Sequence, residues 1–145
     1  MGRFLLTFIL LAAAAPAPIP VTAAGQEPGG CACVVAKQRG DSVAIEWATG
    51  EDSVSDAIDK AKQALGDRGY GYAFPQSNSP LPHGWLVVVE TEYLTFTGKM
   101  RTRYGCGFSD QSEADAIDKA VTDLQAYAMD WKPRHGYEVI ERKRY

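Results

Sequence analysis

A chain of 145 residues, 46% hydrophobic and 23% charged, has the composition of a globular protein and room for one compact domain, not comfortably two. Its 15 basic and 18 acidic side chains leave a formal net charge of −3. That balance argues against a dedicated nucleic-acid binder, whose affinity comes mainly from neutralising phosphates with excess Lys and Arg.

The first residues follow the order of a secretory signal peptide: a basic "MGR", an apolar "FLLTFILLAAAA", and "PIPVTAAG" with small residues for cleavage near Ala23 or Ala24. The apolar run meets Pro16, Pro18 and Pro20 short of the roughly 20 residues that a membrane span needs. Residues 1–24 therefore read as a signal peptide, and no later segment approaches span length. Cys31 follows "PGG" and lacks a lipobox. Cleavage after Ala24 leaves 145 − 24 = 121 residues with 14 basic and 18 acidic side chains, a net charge of −4. The expected address is secreted or periplasmic. The expected organisation is a flexible N-terminus over 25–32 and a single domain over 33–145, with units at about 33–74 and 85–145 and a linker at 75–84.

Cys31, Cys33 and Cys106 are the cysteines, and an oxidising compartment predicts one disulfide with one thiol left over. From an extended strand, side chains at i and i+2 run parallel, so Cys31 and Cys33 do not readily bridge each other. One of the two pairs with Cys106, and Cys33–Cys106 is the candidate bond. Closing that loop stabilises by roughly 4 kcal/mol on the loop-entropy account. A metal site from "CAC" with His83 or His135 lacks recognisable ligand spacing, so neither metal nor cofactor is expected.

Along the chain, "CVVAKQRG" pairs as an edge strand with "DSVAIEW" across Arg39-Gly40-Asp41. Val43, Ile45 and Trp47 alternate with Ala44 and Glu46, the period-two pattern of a half-buried strand. A helix follows from Ser53 as N-cap to Gly66, with Val54, Ala57, Ile58, Ala61, Ala64 and Leu65 on one stripe. "GYGYAF" from Gly69 is extended, and Pro75–Gly84 is loop by composition. "WLVVVETEYLTF" is a strand that turns at Thr97-Gly98 into a second strand over 99–106. Glu90 and Glu92 share a phase with Leu86, Val88, Leu94 and Phe96, which suggests a bulge that switches faces. Ser112 caps a second helix with Ala116, Ile117, Ala120, Leu124, Tyr127 and Ala128 inward, and Pro133 limits it. Gly136 opens a last extended run, "GYEVIERKRY".

The hexapeptide "DAIDKA" occurs on both helices, as Asp56–Ala61 and Asp115–Ala120. Each copy follows a strand and a Gly-containing turn and precedes a Gly-Tyr and another strand, so the sequence holds a strand–helix–strand unit twice. The expectation is an α+β fold built from a duplicated βαβ unit, in the split-βαβ, ferredoxin-like arrangement. Its mainly antiparallel sheet carries both helices on one face.

With both helices on one face, the other face is open. Met100, Tyr104 and Cys106 toward the helices would leave Lys99, Arg101 and Arg103 in a row on that face, with Arg142 extending the patch and Tyr93 or Trp85 as an aromatic platform. Solubilising charge paired with Glu90 or Glu92 is the alternative reading of the same residues. Trp131 and His135, in the loop after the second helix, form either another patch or a hydrophobic plug.

The strand ending "GCGFSDQSEADAIDKAVTDL" and the two Gly-Tyr pairs resemble the sporulation-related repeat (SPOR) domain of bacterial envelope proteins, over about residues 42–74 and 99–142. The resemblance implies a non-catalytic module that binds peptidoglycan glycan on an open sheet face. The chain departs from that pattern in "ATGED", in its longer 85–97 strand and in the insertion over Gln125–His135. Catalysis finds no support: the chain has no nucleophile elbow, zinc-protease motif or phosphate loop. A Cys106–His135 thiol pair competes with the disulfide expected for Cys106. The expected function is therefore a non-catalytic binding module, with an envelope polymer such as peptidoglycan as partner. The alternative is a protein-interaction or inhibitor domain acting through the Pro-rich 75–84 loop, stiffened for entry into a cleft.

Overall fold

The structure is a computed structural model that describes residues 27–145; the signal-peptide reading concerns residues outside that range. The order of elements is β1 (Gly30–Gln38), β2 (Asp41–Glu51), α1 (Val54–Asp67), β3 (Ala73–Ser79), β4 (Trp85–Leu94), β5 (Met100–Ser109), α2 (Glu113–Tyr127) and β6 (Glu138–Arg144). A strand–strand–helix–strand unit thus occurs twice. Each unit makes its own three-stranded sheet, ordered β2-β1-β3 and β5-β4-β6. β1 runs antiparallel to both neighbours, so β2 and β3 are mutually parallel with β1 between them. β4 stands in the same relation to β5 and β6. The α+β class and the split βαβ unit hold within each half.

The layering differs from a single sheet with both helices on one face. On β1, Cys31, Cys33 and Val35 enter a core shared with Leu86, Val88, Tyr104, Cys106 and Phe108 of the second sheet. The alternate residues Ala32, Val34 and Ala36 pack on Ala57, Ala61 and Leu65 of α1. On β4, Val87 and Val89 pack on Ala116, Ala120 and Leu124 of α2. The sheets therefore face each other, and each carries its helix on its outer face. The run "CACVV" decides this arrangement: all five side chains are fully buried, as in a strand covered on both sides. β1 is central and not an edge strand, and Gly30–Ala32 belong to it and not to a flexible N-terminus.

Cys33 and Cys106 lie at bonding distance across the shared core, with Cα atoms 6.4 Å apart. Cys31 is the free, buried cysteine. Its thiol donates to the Ser79 carbonyl and accepts from the Tyr145 hydroxyl, each at 3.2 Å, and burial pushes its pKa up.

Both helices begin as their sequences require. Ser53 accepts from the Asp56 amide and Ser112 from the Asp115 amide, each at 3.1 Å, caps of about 1 kcal/mol apiece. On β5, Gly105 and Gly107 alternate with Tyr104, Cys106 and Phe108 and face α2. A Cβ on Gly107 would stand 2.0 Å from the Ala116 carbonyl oxygen, and one on Gly105 would stand 2.1 Å from that of Ala120. In "RYGCGF" the glycines are thus the seat of the helix. The β4–β5 ladder runs without a shift from Trp85↔Ser109 to Leu94↔Met100. The irregularity in β4 falls on its other edge, at Val88/Val89 against β6, so Glu90 and Glu92 stay on the side of Val88. Tyr104 pairs with Glu90, and burial, with Glu90 beside it, pushes its phenol up to about 12.

Gly107→Ala should lower the unfolding free energy in urea by about 3 kcal/mol or more, because backbone and not a flexible side chain must move. A loss below about 1 kcal/mol would contradict the helix–strand contact. Thiol titration of the purified, unreduced protein should find no reactive cysteine in the native state and one after denaturation; three after denaturation alone would refute the disulfide.

Candidate functional site

At one end of the second sheet, β4 and β5 run into a hairpin turn over 95–99. The Thr95 amide donates to the Lys99 carbonyl and the Gly98 amide to the Thr95 carbonyl, both at 2.9 Å. Gly98 supplies the positive φ of 77° that the turn needs. The Lys99 amide also donates to Thr95 Oγ1 at 3.1 Å. The turn is therefore fixed by its own backbone, and Phe96 projects from it, 87% exposed.

Beside the turn lies the loop between α2 and β6. Trp131 plugs it: the indole is 4% exposed and its Nε1 donates to Thr91 Oγ1 at 3.2 Å and to the Gly136 carbonyl at 3.1 Å. The Lys132 amide donates to His135 Nδ1 at 2.8 Å, and the imidazole stacks on Tyr93 with ring centroids 5.4 Å apart. With Trp131 and His135 held in this way, Met129 is 90% exposed and lines a common depression with Leu94, Phe96, Lys132 and Arg134.

This end therefore gathers four exposed apolar side chains, Phe96, Met129, Leu94 and Met100, the last two 58% and 59% exposed. Around them stand exposed Lys99, Lys132 and Arg134 and half-exposed Arg101. Arg101 Nη1 donates to the Arg39 carbonyl at 3.2 Å, bringing exposed Arg39 to the rim. Glu92 and Asp130 are the neighbouring acids. A locally cationic surface on a chain of net charge −3 is a segregated field, suited to an anionic partner.

The side chains expected to form one patch are divided. Lys99 and Arg101 belong to the hairpin end. Arg103 lies beneath it, with only 14% of its side chain exposed. Its guanidinium donates to Asp41 Oδ1 at 3.3 Å, to the Gly40 carbonyl at 3.0 Å and to the Tyr127 carbonyl at 3.2 Å, so it ties the β1–β2 turn to the end of α2. Tyr93 is 4% exposed, and burial raises its pKa. Trp85 and Arg142 lie toward the opposite end of the second sheet, Trp85 roughly 27 Å along the strand from Tyr93. Arg142 pairs there with Glu113 at 3.0 Å, while the Arg144 guanidinium sits 5.8 Å from the Trp85 ring centroid. Over β4 and β5 the open sheet face on which these residues were to stand is covered, by α2 on one side and by the first sheet on the other.

The 75–84 segment also differs from a protruding loop. Pro75–Ser79 pair with β1, Leu81 packs on the shared core, and Gly84 exchanges two backbone hydrogen bonds of 2.9 Å with Tyr145. Cys106 and His135 do not meet as a thiol and its base: Cys106 is bonded to Cys33 and His135 is engaged by Lys132 and Tyr93. Phe96, Met129, Lys132 and Arg134 escaped the sequence reading. The available signal was an aromatic placed inside a Thr/Gly turn, "TFTGK", where a turn ordinarily carries polar residues.

One half-buried carboxylate stands apart. Asp123 on α2 accepts from Gln76 Nε2 at 2.8 Å and from the Cys106 amide at 2.9 Å, while Gln76 Nε2 also donates to the Tyr104 carbonyl at 2.8 Å. Burial, opposed by those two hydrogen bonds, pushes Asp123 up to about 6. These contacts satisfy the free edge of β5 and use the carboxylate structurally.

No protein-family model matches the chain, and neither a curated protein nor a solved structure matches it.

Because the folded pKa of Asp123 lies above its unfolded value, its contribution to stability is fully present below about pH 4 and is lost as pH rises through about 6. Asp123→Asn lacks that titration. The stability of wild type relative to the variant, from urea midpoints, should therefore be greater at pH 4.5 than at pH 7; the reverse trend would refute the assignment.

Proposed function

We propose that the chain is a non-catalytic binding module of the secreted or periplasmic space and that it engages an anionic component of the cell envelope end-on, through the β4–β5 hairpin end. The observation that carries this reading is the grouping of Phe96, Met129, Leu94 and Met100, all exposed, within a rim of Lys99, Arg101, Lys132 and Arg134. Exposed apolar clusters of this kind mark interaction surfaces, and the cations favour an anionic target. The intersheet disulfide supports an oxidising compartment, and among the described residues no helix is long and apolar enough to cross a membrane. Lys99 and Arg101 act as ligand contacts, while Arg103 and Tyr93 position the surface from beneath. The peptidoglycan expected from the sequence remains one anionic candidate, met by an end and not by a sheet face.

The test is co-sedimentation of residues 25–145, which contain all three cores, with a total bacterial envelope fraction of membranes and sacculi. Wild type should pellet saturably and less at high salt, and Lys99→Glu/Arg101→Glu should reduce pelleting at least several-fold with unchanged thermal unfolding. Pelleting no greater than that of a non-binding acidic protein would overturn the proposal.

A further inference from the structure

We infer that the hairpin end is an interfacial anchor for an anionic lipid surface, an inference that rests on this end being the working surface. Phe96 and Met129 stand on the α2 side of the hairpin, lining the same two depressions. Leu94 lines one of those depressions with them and is directly paired across the ladder with Met100. With Phe96 projecting from the turn, 87% exposed, the apolar residues form a wedge at the tip. A wedge enters a deformable apolar medium more readily than it lies along a sugar chain, which calls for a groove with hydrogen-bonding side chains and flat aromatic faces. The aromatic at the tip is Phe96, without a polar handle.

The charges complete the match. Lys99, Arg101, Lys132 and Arg134 surround the wedge at the level where phospholipid headgroups would stand. Each cation near an anionic leaflet strengthens partition by about fivefold, and amphipathic anchors combine such attraction with shallow insertion of apolar groups. The same cations argue against a second copy of the chain as occupant, because two tips brought together would oppose like-charged rims. Preformed turn geometry supports insertion too: the Thr95–Lys99 hydrogen bonds and the Trp131 plug hold Phe96 and Met129 outward before any contact.

The experiment uses residues 25–145 in flotation assays with vesicles of phosphatidylcholine and phosphatidylglycerol in a three-to-one ratio, with phosphatidylcholine vesicles and purified sacculi as parallel arms. Wild type should float with the anionic vesicles at low salt and not with the neutral ones. Phe96→Ser/Met129→Ser should lower the partition coefficient at least tenfold without changing the melting temperature, since both side chains are exposed. Lys132→Glu/Arg134→Glu should do the same. A Phe96→Trp variant should show a blue-shifted emission on anionic vesicles, reporting insertion. Absence of flotation, flotation unaffected by Phe96→Ser/Met129→Ser, or an unshifted tryptophan would each overturn the inference. Pelleting with sacculi but no flotation would overturn it while leaving envelope binding intact. A concentration-dependent dimer abolished by Phe96→Ser/Met129→Ser, without flotation, would overturn it in favour of self-association.

Discussion

Everything in this fold depends on two small sheets covering each other. A three-stranded sheet with one helix buries a single face, and the exposed remainder of either unit would be apolar: Cys31, Cys33, Val35 and Ile45 on the first sheet, Leu86, Val88, Tyr104 and Phe108 on the second. Brought together, these residues form a common core that neither unit can make alone, and Trp47, Phe74, Leu81 and Tyr145 close its perimeter. The Cys33–Cys106 bond crosses that core and joins residues 73 positions apart, so it narrows the unfolded ensemble where pairing of the two units is most costly in chain entropy. Mutual coverage also closes the inner faces of the central strands β1 and β4.

The second constraint is the outer edge of β5. An unpaired strand edge invites pairing with other chains, and here side chains occupy it in place of a neighbouring strand. Asp123 takes the Cys106 amide and Gln76 the Tyr104 carbonyl, while Asp41 Oδ1 takes the Thr102 amide at 2.8 Å. Asp123 can reach that edge because α2 lies close on Gly105 and Gly107. The same glycines that seat the helix therefore bring the carboxylate to the edge, and an apparently odd half-buried acid follows from backbone packing.

Local signals in the sequence were legible where one element decides the outcome. Ser53 and Ser112 cap the helices, the apolar stripes face inward except at Tyr127, which is 37% exposed, Thr97-Gly98 turns a hairpin, and the repeated hexapeptide marks a repeated unit. What the sequence did not disclose was which sheet each strand joins. "CVVAKQRG" reads as a strand from Cys33 onward, and a strand with Lys37 and Gln38 at one end looks like an edge. Its central place becomes apparent only when the partner faces are known, because the residues that bury Cys31 and Val35 come from β4 and β5. The charged residues misled for the same reason. Alternation correctly assigned Arg101 and Arg103 to one side of β5, but that side faces α2, which leaves Arg101 at the rim and draws Arg103 under the end of the helix. Tertiary placement, and not period, separates a ligand-facing arginine from a structural one.

The site itself arises where the two units cease to be alike. The first unit joins β1 to β2 through Arg39-Gly40 and α1 to β3 through residues 68–72, whereas the second joins β4 to β5 through residues 95–99 and α2 to β6 through residues 128–137. Both connections are longer in the second unit, and both lie at the same end of its sheet, where Phe96 and Met129 line common depressions. The corresponding end of the first unit, bounded by Lys37, Gln38, Tyr70 and Tyr72, has no comparable projection, although Tyr72 is 71% exposed. Extra residues in two adjacent connections would be an unstable addition unless something fixed them. The Trp131 plug, the Tyr93–His135 stack and the Arg103 hydrogen bonds do so from below, using residues buried by the scaffold. The duplication thus supplies a rigid frame twice, and the difference between the copies supplies the surface on which function is proposed to rest.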